Sequence, residues 1–515
     1  MAARSAGPRG DASGADAGPV DPMSEHADEH RRSGRSPGAT AIAACIGWCL
    51  YAAYVFWQAL AGPPIIWGDS TSYVAVSVKP LPGDAFWTGQ RPPMLPLLIK
   101  MAGPSTGLIV TQTALAVVAW GILAWTTGRL VPVGWRRLSA TLVVLGFGSV
   151  LPITLWNRSV LSESVSISTL ALLVAAVLWT TRKTTWPRVA ATAAVCLLFA
   201  LERDAQLWTV GLFGASAGLF GTARIRTDRP TALRAGVLAL CLLAICGVAE
   251  AGSVASGRTD QSLRDVLAVR VFPYPDRVSW FAEHGMPDGQ AVDRLAAATS
   301  APAPDAVKVV GVPPNSPSFR SLRAWESRHG QATYIWWLVT HPTYVVTEPL
   351  YRPERAFNFA QGNLTFYAAA TGRVDSPLTL VMWPPIVGFV ILSALALHLG
   401  IWYRIWRETI WRSAAVVTAI GVLAMLVAWH GDGQEVTRHT IEGSVEVRLG
   451  VWLLVIIGAL RHTRTERDEL LCQPITARSG NGRTEPAEDG PTAGRPPHGT
   501  TGEHQVVGEV EQPGR

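Results

Sequence analysis

The chain has 515 residues, is 49% hydrophobic and only 16% charged, with a formal net charge of +6 and a mean hydropathy of +0.23. Soluble domains carry about a quarter charged residues, so this balance, with its long apolar runs, reads as a polytopic membrane protein. The positive charge does not point to nucleic acid, because the arginines sit in short loops between apolar segments.

Residues 1–39 are rich in Ala, Gly, Ser, Asp and Arg. They are too polar for a signal peptide and read as a disordered cytoplasmic N-terminus. A lipid-spanning helix needs about 20 mostly apolar residues. Spans are expected near 40–61, 106–127, 138–156, 164–181, 186–201, 206–222, 235–256, 376–400, 413–429 and 449–460. The expected fold is therefore an all-α bundle of about ten transmembrane helices, seven within 40–256 and three within 376–461.

Between helices 7 and 8 lies a long outer segment, 257–375, rich in Pro, Gly and Trp. It reads as an external loop domain or lid. Its apolar run 332–350 contains His341, Pro342 and Glu348, which favour an interfacial helix over a further span. Residues 462–515 read as a second disordered cytoplasmic tail.

The loops give an independent orientation. With the N-terminus inside, the inner loops carry Arg129, Arg136 and Arg137; Arg182, Lys183 and Arg188; Arg224, Arg226, Arg229 and Arg234; Arg404, Arg407 and Arg412; and Arg461, Arg464 and Arg467. Every expected inner loop is basic, as the positive-inside rule requires. The acids fall on the other side: Asp69, Glu163, Glu202, Asp204, and the stretch "HGDGQEVTRH" from His430 to His439. A shared outward-facing site is the expectation. The six cysteines, Cys45, Cys49, Cys196, Cys241, Cys246 and Cys472, occupy apolar runs or the tail and suggest no exported disulfide framework.

The first outer loop, 62–105, holds "WGDSTSY" followed by "RPPMLPLLIK". A carboxylate at a membrane edge can take a proton from a hydroxyl or hold a cation. Read alone, Asp69 is a helix cap, with "DST" as the start signal. The two stretches together resemble the first periplasmic loop of the GT-C glycosyltransferases, the group that includes protein O-mannosyltransferases and lipid A aminoarabinose transferases. Their early Asp, Tyr and Pro-Pro turn match Asp69, Tyr73, Arg91, Pro92 and Pro93. "NRSVLSES" resembles their later segment in which an acid, here Glu163, opens an apolar helix. "VTRHTIEG" resembles their late Arg-Tyr segment, with Arg438 at the Arg and His439 in place of the Tyr. Many relatives carry a second acid beside the first Asp; here Ser70 stands there.

The resemblance implies transfer of a sugar, with inversion, from a polyprenyl-phosphate lipid to a glycan, lipid or protein acceptor of the cell envelope. It implies Asp69 as general base and Glu163 as a second catalytic acid. Arg suits a lipid phosphate through its planar, permanently charged fork, which makes Arg438 and Arg158 the phosphate candidates. Tyr73, Arg91, Arg203, Glu435 and His439 complete the expected donor and substrate contacts. A divalent cation, Mg or Mn, stays open as a cofactor. His430, Asp432, Glu435 and His439 could ligate a metal, but a polar loop shaping the donor pocket is the favoured reading. The alternative from another class is a lipid or solute transporter or flippase. It is disfavoured because the charges are expected at loop edges and not within spans.

Overall fold

A computed structural model describes residues 37–289, 292–293, 319–358, 377–433 and 436–461. All of them belong to one compact unit, Met1–Thr463. The elements that position the site are α1 (Pro37–Leu60), α2 (Ser70–Ser77), α3 (Met94–Ala102), α4 (Thr106–Gly128), α5 (Trp135–Gly148), α6 (Glu163–Arg182), α7 (Trp186–Ala200), α8 (Gln206–Arg224) and α9 (Arg229–Ala255). They are followed by α10 (Arg258–Arg270), α11 (Pro275–Glu283), α12 (Gln331–Thr340), α13 (Pro342–Leu350), α14 (Ile386–Trp402), α15 (Thr409–Gly431), α16 (Val436–His439) and α17 (Ile441–Arg461). Among the described residues there is no strand, only an isolated parallel bridge between Ile65 and Ser159.

The molecule is an all-helical multi-pass membrane protein. Six described helices, α1, α4, α6, α9, α15 and α17, are long and apolar enough to cross a membrane. A seventh crossing is possible through α5 and the segment Leu151–Arg158, which meet at a bend of 57°. The expected single span 138–156 is therefore broken. Val150 is extended, and Pro152 in the first turn of the second segment has no N–H to continue the helix of α5. The expected eighth span, 376–400, is broken as well: Pro377–Met382 and α14 are separated around Pro384 and Pro385. α7 and α14 are apolar but short, and α8 is not among the six. Ten full-length spans are thus not present among the described helices.

The last helix departs most from expectation. It starts at Ile441, not near residue 449, so Glu442, Glu446 and Arg448 lie inside it and are buried. Charges therefore do lie within a span, against the expectation that they keep to loop edges. α6 and α17 form the centre of the bundle, each with 78% of its crossing window buried, against 11% for α1. α15 and α17 touch closely through glycine: a Cβ on Gly421 would stand 2.8 Å from Val447 N, and one on Gly443 would stand 2.9 Å from Met425 N. Small residues let helix backbones approach in lipid, where no hydrophobic force draws them together.

The described part of 257–375 forms α10 to α13 around its own apolar cluster, which includes Leu267, Phe272, Phe281, Trp325, Tyr334 and Trp337. The run 332–350 is two helices, broken at His341–Pro342. This layer is fastened to the end of α15. Arg270 pairs with Glu348 at 2.8 Å and donates to Trp429 O, while Tyr334 Oη donates to His430 O at 3.0 Å.

Candidate functional site

The segment between α1 and α2 is held against the chain that leads into α6. Ile65 N donates to Arg158 O at 2.9 Å, and Val160 N donates to Ile65 O at 3.0 Å. Ser70 Oγ reinforces this, accepting from Trp67 N at 2.9 Å and donating to Val160 O at 2.8 Å. Tyr73 Oη lies 3.1 Å from Ser162 Oγ. These clips bring Asp69 beside Glu163. They also give Ser70 a role: it is fully buried, and the hydroxyl ties two loops where a carboxylate would be desolvated.

Asp69 occupies the position before α2, but its carboxylate makes no capping hydrogen bond. It faces two arginines instead. Oδ1 lies 2.5 Å from Arg91 Nη2, and Oδ2 lies 2.6 Å from Arg438 Nη2. The helix-cap reading is therefore set aside for the side chain. Arg438 continues the pattern, with Nε 3.0 Å from Glu163 Oε1. Glu163 Oε1 is 3.6 Å from Arg203 Nη1, which in turn lies 2.5 Å from Glu442 Oε1. Six side chains from four separate segments thus form an alternating chain: Arg91, Asp69, Arg438, Glu163, Arg203, Glu442.

Each segment has a local reason to present its group. Glu163 is the first residue of α6, where the positive end of the helix dipole favours an acid. Arg203 sits in the turn between α7 and α8. Arg438 lies in α16, and Glu442, four residues on, is the second residue of α17. Arg91 is fixed by Ser72 Oγ, 2.7 Å from its Nε, and by the Tyr73 ring, 5.1 Å from its Cζ.

Partial burial pushes the Asp69 carboxyl upward, but the charges and hydrogen bonds of Arg438 and Arg91 outweigh it and hold the pKa below the usual value. His439 is held well below the ordinary histidine value, first by burial and then by Arg203, Arg438 and Arg91. Its partners agree with a neutral ring. Nδ1 accepts from Arg203 Nη2, and Nε2 stands 3.2 Å from Asp432 Oδ2, to which it donates.

Asp69, Tyr73, Glu163, Arg91, Arg203, Arg438 and His439 are therefore brought into one cluster. Arg158 is placed by the loop, its Nε donating to Pro63 O at 2.7 Å with its guanidinium over Gly62. Glu435 lies outside the described residues. Three participants were not foreseen: Glu442, Ser166, whose Oγ donates to Glu442 Oε1 at 3.0 Å, and Gln206, which donates to that same hydroxyl. The spacing of Glu442 from Arg438 was the available signal, hidden by starting the last helix eight residues late.

Among the described residues the donor set does not fit a divalent cation. Asp69, Glu163 and Glu442 each already face an arginine, and among the described residues no group of three acid, His or Cys side chains could hold a metal. His430 turns from Asp432 and His439 toward α13, its Nε2 at 3.0 Å from Val345 O. Glu202, in the same turn as Arg203, is fully buried, and among the described residues neither carboxylate oxygen has a hydrogen-bond partner. Burial, then the Glu442 charge, raise its pKa well above the usual value despite Arg203.

An apolar groove of about 460 Å³ is lined by Trp87, Pro92, Pro93, Leu197, Ile245 and Val248 among others. It shares two loops with the ion chain: Pro92 follows Arg91, and Asp204 follows Arg203. Its mouth carries the pair Arg258–Asp204 at 2.8 Å, with Arg258 Nη1 also donating to Gly89 O at 2.8 Å. Comparison with protein-family models and with curated proteins gives no match.

Proposed function

We propose that this chain is an inverting membrane glycosyltransferase, moving a sugar from a polyprenyl-phosphate donor to an envelope acceptor at the outer face of the plasma membrane. On this reading the short and broken helices complete about ten crossings, with both chain ends cytoplasmic. The observation that carries it is the meeting of Asp69 with Arg438 and Arg91 beside an apolar groove. A lipid donor presents an apolar chain and a phosphate at the membrane edge. The groove suits the first, and a guanidinium suits the second.

The chemistry follows from the pairing. At rest both arginines hold Asp69 ionised. The donor phosphate competes for Arg438 and Arg91 and frees the carboxylate to accept the acceptor hydroxyl's proton. The acceptor oxygen bonds to the anomeric carbon from the face opposite the phosphate, and the bond from that carbon to the phosphate oxygen breaks. Polyprenyl phosphate leaves with the electron pair, its charge met by Arg438. The test is incubation of the protein in liposomes with a panel of polyprenyl-phosphate sugars and a hydroxyl acceptor. Donor-dependent release of polyprenyl phosphate is expected; none with any donor defeats the reading.

One observation favours the second reading, a transporter. Glu446 and Arg448 are buried inside α17, with Arg448 Cζ 4.1 Å from the Trp383 ring centre and Nη2 donating to Asn358 O at 3.2 Å. Ionisable groups within a span commonly mark a translocation path. Flux across proteoliposomes without release of polyprenyl phosphate would select it.

A further inference from the structure

At the other end of the bundle from the ion chain is a second, different site. α6 carries Glu163 at its first residue and Arg182 at its last, so the two ends lie about 29 Å apart along its axis. Around Arg182 is a pocket of about 380 Å³, lined by Trp125, Arg129, Trp179, Arg182, Lys183 and Arg188, with Thr126, Leu130 and Leu178 at its floor. None of these lining residues is acidic.

The cations are arranged, not merely near. Arg182 Nη1 donates to Arg129 O at 3.1 Å, and Arg188 Nη1 donates to Trp179 O at 2.7 Å and Lys183 O at 3.1 Å. Those bonds satisfy carbonyls at helix ends and leave the other guanidinium nitrogens for a ligand. Arg129 lies over the Trp125 ring at 4.6 Å, and Arg188 lies over the Trp179 ring at 4.7 Å. Among the described residues Arg129, Arg182, Lys183 and Arg188 enter no ion pair. Four positive charges thus face one hollow with no acidic partner among the described residues.

We infer that this pocket binds the phosphate headgroup of an anionic membrane phospholipid. A free phosphate shares the headgroup's chemistry, but the walls favour a lipid. Trp125, Ile122 and Val118 continue from the pocket along one face of α4, all exposed at 40% or more. Their spacing of three and four residues makes an apolar strip on which an acyl chain can lie. Tryptophan beside arginine is also the side-chain pairing of a membrane interface.

The test uses purified full-length protein in a neutral detergent. Phosphatidylglycerol, phosphatidylcholine and inorganic phosphate are added separately, and retained lipid is counted by native mass spectrometry beside the thermal unfolding midpoint. Phosphatidylglycerol should be retained at about one molecule per chain and should raise the midpoint; phosphatidylcholine and phosphate should do neither. The double change Arg129→Gln with Lys183→Gln should weaken retention roughly thirtyfold, since each cation near an anionic surface contributes about a fivefold factor. These two residues are chosen because they cap no carbonyl, so folding is preserved. The charge-keeping pair Arg129→Lys with Lys183→Arg should restore retention. Equal retention by the glutamine variant, or an equal midpoint shift with phosphate alone, overturns the assignment.

Discussion

Arg438 Nη2 lies 2.6 Å from Asp69 Oδ2, although 369 residues separate them. The same guanidinium reaches Glu163 through Nε at 3.0 Å. One side chain late in the sequence therefore links two carboxylates from its first third, and the loop after α1, the start of α6 and α16 are tied together.

That linkage separates two variants. Asp69→Asn keeps the shape of the side chain and removes a partly exposed charge, so its stability cost is small, about 1 kcal/mol or less per ion pair lost. Under the transferase reading it keeps donor binding and loses transfer by about a hundred- to ten-thousand-fold. Arg438→Ala instead leaves Glu163 buried with Arg203, at 3.6 Å, as its one ion-pair partner among the described residues, so stability falls by roughly 3 kcal/mol. Arg438→Lys keeps the charge but cannot bridge both acids; donor binding weakens while the protein stays folded. Donor-binding titrations and single-turnover transfer check both. Near-normal transfer by Asp69→Asn would remove Asp69 from the chemistry.

The pH dependence of transfer follows from the direction of the Asp69 shift. Burial raises the pKa, but Arg438 and Arg91 bring it below the usual value. A base must be ionised, so the acid limb of kcat/KM should lie below the ordinary aspartate value. Arg91→Gln removes one of the two opposing charges, so the limb should move to higher pH. A pH–rate profile of the variant measures this directly. An unmoved limb means that another group titrates.

The sequence made some of this legible and concealed the rest for physical reasons. Asp69, Glu163, Arg203 and Arg438 could be gathered at one end of the bundle because each lies next to an apolar run at alternate ends of successive helices. Their pairing could not be read, since it depends on the backbone clip between Ile65, Arg158 and Val160, which leaves no side-chain pattern. Glu442 was hidden because the last apolar run, taken at its most hydrophobic, begins after the three charges. A central helix packed on every side tolerates charges that a lipid-facing one does not, and α17 has 78% of its crossing window buried. The breaks at Pro152 and Pro384 were visible residue by residue, but an apolar average runs straight across them.

Two buried groups near the ion chain should give opposite slopes of stability against pH. The folded chain keeps His439 neutral, its pKa well below 6.5. The unfolded histidine takes a proton as pH falls through about 6.5, so stability is lost on the acid side of that value. Glu202 is raised well above the usual value and stays protonated in the fold. The unfolded glutamate gives up its proton above about 4.3, so stability contributed by Glu202 is lost as pH rises from there toward its raised folded pKa. Glu202→Gln, which keeps a neutral group of the same shape, should therefore gain more over the native protein at pH 8 than at pH 5 in thermal unfolding. An equal gain at both values would show that Glu202 is ionised in the fold.

The glycines of α15 and α17 supply a test with no charge involved. A Cβ on Gly443 would stand 2.6 Å from Met425 Cγ, 2.9 Å from Met425 N and 3.0 Å from Gly421 O. Two of those atoms are backbone and cannot swing aside, so Gly443→Ala must push the helices apart at a cost of about 1–3 kcal/mol. Gly443 directly follows Glu442, so the displacement also loosens the Arg203–Glu442 pair and should lower transfer without altering any polar group. Gly236→Ala in α9 is the matched control, because nothing lies within 4 Å of its added Cβ. There the change replaces a poor helix former and should be neutral or stabilising by up to about 1 kcal/mol. Unfolding midpoints of the two variants in the same detergent, read beside their transfer rates, decide the matter. Equal midpoints would mean that the close approach of α15 and α17 carries no packing energy.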